Sequence, residues 1–153
     1  KMKKIITIIS ILLISSCGFK VINLSNEDFS IVQINTVGDK RVNYLIRNNF
    51  LIGSDSNKKE IIININTNKN KTIKEKNIKN EITKYNISIS AAVNVQNLIN
   101  GKELNFNVVE TGIYNVGTQN SVTRNNEKKL ISLLADELAD EILLEIKIKS
   151  NDL

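Results

Sequence analysis

The sequence predicts an α+β domain in which two helices pack on one face of a four-stranded mixed sheet, in the order β-α-β-β-β-α. Three observations predict it. Three runs in the middle of the chain alternate apolar and polar residues with a period of two, as strands with one buried face do. Two stretches flanking those runs carry apolar residues at helical spacing. Asn100-Gly101, between the second and third runs, is a strong hairpin-turn signal.

Taken in order, residues 29–35 (Phe-Ser-Ile-Val-Gln-Ile-Asn) are rich in β-formers and predict the first strand. Gly38-Asp39 breaks it, and Asp39 is a suitable helix N-cap. Val42, Leu45, Ile46 and Phe50 then share one helical face over residues 42–51, with Gly53 as the expected C′ stop. Ile61, Ile63 and Ile65 define the second strand. Tyr85, Ile87, Ile89, Ala91, Val93 and Val95 define the third. Leu104, Phe106 and Val108 define the fourth. Residues 67–84 are expected to be a solvated hairpin tip, and 115–126, which contains Gly117, a polar loop. The chain closes with a helix whose stripe is Leu130, Ile131, Leu134, Leu138 and Ile142, with Ala135 between turns. Asp136, Glu137, Asp140 and Glu141 crowd its other side, and Lys147 and Lys149 suit the negative end of its dipole. A helix between the first two strands makes a crossover joining parallel strands. The next three strands form a meander, and both helices must share a face to bury their stripes.

The chain has 153 residues, 41% of them hydrophobic, which suffices for one domain with a core and is too short for two. Histidine is absent and Cys17 is the only cysteine. No imidazole can serve as general base or metal ligand, and a Cys-based zinc site or intrachain disulfide is excluded. Asp136 and Asp140 stand four apart as metal ligands might, but nothing joins them, and a solvated helix face accounts for them. No glycine-rich phosphate loop appears. The chain is therefore expected not to be an enzyme, with no metal and no cofactor. Asn occurs 24 times, Ile 26 and Lys 18, a bias that AT-rich codons explain, so asparagine here must often sit in strands.

The beginning of the sequence reads as targeting. Lys1-Met2-Lys3-Lys4 precedes an apolar run over residues 5–14, too short to span a bilayer stably and of the right size for a secretory signal. Ser15-Ser16-Cys17 follows and looks like the lipobox of bacterial lipoproteins, with Ile14 where Leu is usual. That resemblance implies a signal peptide at 1–16, lipidation of Cys17, and residues 17–28 as lipidated cysteine and tether before a domain at 29–149. Two or more acyl chains anchor stably. Gly18, rather than Asp, after the cysteine favours the outer membrane of a Gram-negative cell. Removal of 1–16 takes away three lysines and lowers the formal charge from +5 to +2, so no nucleic-acid partner is expected.

With Cys17-Gly18-Phe19, the strand and helix up to residue 51, Tyr85-Asn86-Ile87-Ser88-Ile89, Asn100-Gly101-Lys102-Glu103-Leu104, Gly112-Ile113-Tyr114-Asn115 and the helix through Leu134-Ala135-Asp136-Glu137-Leu138-Ala139-Asp140-Glu141-Ile142, the chain resembles the LPS-assembly lipoprotein family, LptE, over nearly all of the mature length. It departs at Ser121-Val122-Thr123, where the family often carries Tyr-Ala. The resemblance implies a lipid-anchored protein at the periplasmic face of the outer membrane. Such a protein plugs and helps assemble a large β-barrel partner, LptD, and binds lipopolysaccharide during export. The rival reading is an auxiliary lipoprotein of an ABC-type lipid transport system.

Two regions bear on that role. The outward sheet face carries Asn64, Asn66, Asn86, Ser88, Ser90, Asn94, Asn105 and Asn107, polar and almost uncharged, which suits a polar barrel lumen. In residues 67–84, lysines outnumber acids. The topology puts this hairpin and the segment before the last helix at one pole of the sheet. Lys76, Lys79, Arg124 and Lys128 are therefore the expected lipopolysaccharide-binding residues, with Lys79 and Arg124 at the positions that resemble the family's contacts.

Overall fold

The computed structural model describes residues 28–50, 52–53, 55 and 57–150. The expected signal peptide, Cys17 and all of the tether but its last residue lie outside the described residues. The order is β1 (Phe29–Gly38), α1 (Lys40–Asn49), β2 (Lys59–Lys76), β3 (Ile82–Asn97), β4 (Glu103–Asn115) and α2 (Asn120–Lys149). The sheet runs β1-β2-β3-β4, with β1 parallel to β2 and the other two pairs antiparallel. This is the α+β architecture the patterning predicts.

β1 holds a feature its sequence conceals. Ile31 pairs with Ile61 and Gln33 with Ile62, so Val32 is an extra residue, a bulge. Strict alternation would put Gln33 inward beside Ile31. The bulge turns the strand over, so that Ile31 and Ile34 are both buried while Gln33 and Asn35 face outward.

The turn into α1 is tied to β2. Asp39 caps the helix as expected, its carboxylate accepting from the Arg41 and Val42 amides at 3.1 and 3.0 Å. Its own N–H donates to Thr67 Oγ1 at 3.1 Å, and the Thr67 hydroxyl donates to buried Asn43 Oδ1 at 2.7 Å. Lys69 pairs with Asp39 at 2.7 Å. Gly38 has φ +106, and a Cβ there would lie 1.9 Å from the Thr67 carbonyl oxygen, so only glycine lets the strand end approach this closely. Val42 and Ile46 are buried and bring the helix onto the sheet. Gly53 is not the C′ stop. The helix is capped at Phe50 in extended conformation, and the Gly53 N–H donates to the Ile31 carbonyl at 2.9 Å. The chain at Gly53 thus returns along β1, and its backbone has no need of left-handed dihedrals.

Two expected loops turn out to be regular structure. β2 continues through residues 67–76, paired with β3, so the hairpin connection shrinks to residues 77–81. β3 supplies, from Ile82 to Ala91, a partner for each of these β2 residues except Lys74, where the register shifts, and ladder bonds compensate for their weak β-propensity. Likewise α2 begins at Asn120, where a loop is expected up to 126. Residues 120–127 lack an apolar stripe, and polar contacts hold them instead. The Gly117 amide donates to Thr123 Oγ1 at 3.0 Å, Asn126 Nδ2 donates to the Asn115 carbonyl at 3.0 Å, and Tyr114 Oη donates to Glu127 at 3.0 Å. The β3–β4 turn sits at Asn100-Gly101 but spans four residues, 98–101. Asn97 organises it with a buried side chain that accepts from the Ile99 amide at 2.8 Å.

α2 lies over β4 and β3 and touches α1, where Asn49 Nδ2 donates to Asp136 at 2.9 Å. Its stripe is buried from Ile131 through Leu134, Ala135, Leu138 and Ile142 to Ile146, with Leu130 half-buried at the start. The missing side chain of Gly112 makes room for Leu130 and Leu134 on β4. The core between helices and sheet is closed by Ile61, Ile63, Ile87, Ile89 and Val95, all on one sheet face. The other face is left open.

Candidate functional site: an amide-faced sheet and a cationic pole

The open face is built by register. Asn35 in β1, Asn64 in β2, Asn94 in β3 and Asn105 in β4 stand directly opposite one another across all four strands. Their amides form a continuous chain. Gln33 Nε2 donates to Asn35 at 2.8 Å, Asn35 Nδ2 to Asn64 at 2.8 Å, Asn64 Nδ2 to Asn94 at 3.0 Å, and Asn94 Nδ2 to Asn105 at 3.0 Å. Asn94 Nδ2 also reaches Glu103 at 3.1 Å. An amide has two N–H donors and a two-lone-pair acceptor, so the row keeps unused bonding capacity, although both Asn94 N–H groups are spent on Asn105 and Glu103. The next row is Val37, Asn66, Ala92 and Asn107, whose small central residue leaves a shallow groove of about 400 Å³. Beyond it stand Asn68 with Ser90, then Asn70 with Ser88.

All eight outward residues expected from the sequence lie on this face. Sequence reasoning missed Gln33 and Asn35, because the bulge at Val32 reverses the inside–outside pattern of β1. The signal that could have found it is Ile31 and Ile34 at a spacing of three in a strand, which alternation forbids without an extra residue.

The β2–β3 turn, the 116–119 connection and the first turns of α2 lie at one end of the sheet. Inward of them the Lys71 ammonium of β2 joins α2 to β3 and β4, 2.8 Å from Glu127 and 4.3 Å from the centroid of the Tyr85 ring, which stacks on Tyr114 at 5.5 Å. Tyr114 Oη donates to the same Glu127 oxygen that Lys71 contacts. Burial pulls the Lys71 ammonium down, but the hydrogen bonds and charge of Glu127 and Tyr114 outweigh it and raise its pKa on balance. The hydrogen bond from Lys71 holds the Glu127 carboxyl below the ordinary range, against partial burial. Burial raises the Tyr114 phenol. This cluster seats the start of α2 on the hairpin.

The four cations expected at this pole occupy different settings. Lys76 closes β2 and donates to Asn80 Oδ1 at 2.9 Å. Lys79 stands in the turn itself, its amide held by Asn77 Oδ1 at 2.9 Å. Arg124 and Lys128 project from the first turns of α2, not from a loop, flanking Glu127 in sequence. No hydrogen bond or ion pair links the four among the described residues. Lys69, Lys71 and Lys84 are paired with Asp39, Glu127 and Glu75. Lys74, Lys79, Arg124, Lys128 and Lys129 are without a side-chain ion pair among the described residues. The pole therefore presents cations free to meet an anion. Among the described residues, no group of three carboxylate or thiol side chains could hold a metal, and no helix is long and apolar enough to cross a membrane. Asp136 spends its carboxylate on Asn49.

No family model matches the chain, and no curated protein matches it. Solved structures do. Rare lipoprotein B from Shewanella oneidensis superposes with a TM-score of 0.60 at 14% identity, covering 78% of this chain and 97% of that one. Lipoprotein B from Nitrosomonas europaea gives 0.55 at 16%, covering 88% and 94%. A lipoprotein from Caulobacter crescentus gives 0.54 at 15%, covering 78% and 90%. At such identities the likeness establishes a shared fold.

Proposed function

We propose that this chain is an outer-membrane lipoprotein of the LptE type. It is anchored through Cys17, seats inside and helps assemble an LptD-like β-barrel, and binds lipopolysaccharide at its cationic pole. The observation that carries the proposal is the amide row Asn35–Asn64–Asn94–Asn105 across an otherwise open sheet. A sheet face that meets only water ordinarily mixes lysine and glutamate among its polar residues. A hydrogen-bonding surface four strands wide, almost uncharged but for Glu103 beside Asn94, suits the polar wall of a barrel lumen, where donors and acceptors must be matched and unpaired charge is costly. The fold shared with bacterial lipoproteins supports the same reading, as does the lipobox-like Ser15-Ser16-Cys17. No bond is made or broken in this role.

The test is purification of the full protein from membranes in detergent, with partners identified by mass. A β-barrel should accompany it, and the intact mass should correspond to a chain beginning at an acylated Cys17. Depletion should lower the amount of mature barrel and of surface lipopolysaccharide. Copurification with a membrane ATPase instead would favour the ABC-type auxiliary lipoprotein. An unmodified Cys17 would remove the lipoprotein assignment.

A further inference from the structure

The two edges of the sheet are not alike. The fold closes off β1: a bulge at Val32 distorts it, and the returning chain at Gly53 donates to its Ile31 carbonyl at 2.9 Å. β4 has no such protection. Its register with β3 runs from Glu103 to Asn115 without a shift, and it contains neither proline nor lysine. The Asn97 amide donates to the Lys102 carbonyl and the Val116 amide to the Thr83 carbonyl, each at 2.9 Å, so the even-numbered residues point their backbone groups at β3. In an antiparallel ladder the residues between them turn N–H and C=O the other way. The odd-numbered residues from Glu103 to Asn115 therefore present a row of backbone donors and acceptors at the edge. The Asn115 carbonyl accepts from Asn126 Nδ2, and no strand covers the row among the described residues.

α2 overhangs this edge with a stripe the core does not use. Asp136 turns toward α1, where it meets Asn49. Leu133, Glu137, Glu141, Leu144 and Ile148 lie on another side, in line at helical spacing, and the three apolar members are exposed. Burial raises the pKa of Glu110 in β4, and the charges of Glu137 and Glu141 raise it further, so this side of the helix stands over β4. None of these three carboxylates has an ion pair among the described residues. The other charges along this flank leave it acidic. Glu127 and Glu145 are paired with Lys71 and Lys149, and Glu103 at the start of β4 accepts from Asn94, with Lys102 before it. Val109 and Ile113 are exposed on the strand itself.

An open ladder beneath a stripe that is apolar at both ends and acidic at its centre is a template for one more strand. We infer that the β4 edge docks an extended segment of a partner protein, apolar along its length with a lysine or arginine at its middle. The backbone of that segment extends the sheet, its apolar side chains meet Val109, Ile113, Leu133 and Leu144, and its cation meets Glu110, Glu137 and Glu141. Charge complementarity decides the occupant. A second copy paired edge to edge about Val109, the middle of β4, would bring Glu110, Glu137 and Glu141 against the same three residues. An uncharged strand would cover the carboxylates and leave them without water or partner. The inference uses neither the amide row nor the cationic pole, and goes beyond the proposed function.

The probe is a fluorescent peptide of alternating valine and threonine in which lysine replaces the central valine, beside a twin with glutamate there. Binding to the full-length protein in detergent is read by anisotropy, and its place by amide hydrogen exchange. The lysine peptide should bind about tenfold or more tighter than its twin. It should slow exchange of the Val109, Thr111 and Ile113 amides about tenfold or more, while the Val108 and Glu110 amides, already in the ladder, change little. Val109→Pro removes an edge N–H that β3 does not use and should abolish binding. Glu137→Lys with Glu141→Lys alters helix side chains that have no ion pair to lose, and should reverse the preference in favour of the glutamate peptide, so the conclusion does not hang on the proline. Equal affinity for the two peptides overturns the inference. So do edge amides that stay unprotected at saturation, and a lack of binding at the highest soluble peptide concentration. A protein that dimerises with the same amides protected and no peptide present gives the edge to a second copy and overturns it also.

Discussion

Replacing Gly38 by alanine tests how the crossover is held against the sheet. The new Cβ would meet the Thr67 carbonyl oxygen at 1.9 Å, its carbon at 2.9 Å and its hydroxyl at 3.0 Å. Two of these atoms are backbone of a central strand, so the clash cannot be relieved by a rotamer. A φ of +106 is in addition a region that alanine rarely adopts, a strain of about 1–3 kcal/mol. Moving the strand end away would loosen the Asp39–Thr67 and Thr67–Asn43 hydrogen bonds, each contributing about 0.5–1.5 kcal/mol. The total loss is about 2–6 kcal/mol, a large part of a typical domain stability. For a domain of about 120 residues that lowers the melting temperature by roughly 8–24 °C. Gly53→Ala is the matched control, since nothing lies within 4 Å of its Cβ and its φ is not left-handed. It should be neutral or stabilising by up to about 1 kcal/mol. Urea unfolding of both variants followed by circular dichroism gives the two differences. If Gly38→Ala loses no more stability than Gly53→Ala, the close approach at Thr67 does not hold the crossover.

Further outcomes follow from the pole and the open face. Glu127→Gln should lower stability at pH 7 by no more than about 1 kcal/mol, because Lys71 and Glu127 are 35% and 28% exposed and solvent screens the pair. The Glu127 pKa is depressed on folding, so its contribution is present above the ordinary value of 4.5 and is lost as pH falls through the lowered one. The difference between parent and variant should therefore close as pH falls below the lowered value; a gap that stays constant with pH would mean the carboxylate charge is not what matters. Asn94→Ala interrupts the amide row at its most connected member and should cost about 1 kcal/mol while reducing barrel copurification; normal barrel recovery would count against the open face as the contact. Lys79→Glu with Arg124→Glu should weaken lipopolysaccharide binding and its salt dependence while the melting temperature stays within a few degrees, because neither side chain has an ion pair to lose among the described residues. Binding equal to the parent's at low salt would reduce this pole to a solvated loop end.

The element order, the inward isoleucines of β2 and β3, the Asp39 cap and the α2 stripe were all legible in the sequence. Each is a local periodicity or a local hydrogen-bonding preference, and a sheet with one buried face enforces it. The neutrality of the outward face was legible too. What tertiary structure decided is where local preference was weak. Residues 67–76 and 120–127 have little apolar pattern of their own, yet they become strand and helix because β3 and the Lys71–Tyr114–Glu127 cluster supply hydrogen-bond partners from far along the chain. The bulge at Val32 could be chosen only when β1 met Ile61 and Ile62, since burying both Ile31 and Ile34 requires one residue to be skipped. That choice turns Asn35 outward and completes the row with Asn64, Asn94 and Asn105. Asparagine in four separate segments is composition; asparagine in one hydrogen-bonded line is register, and register is set by the pairing of strands.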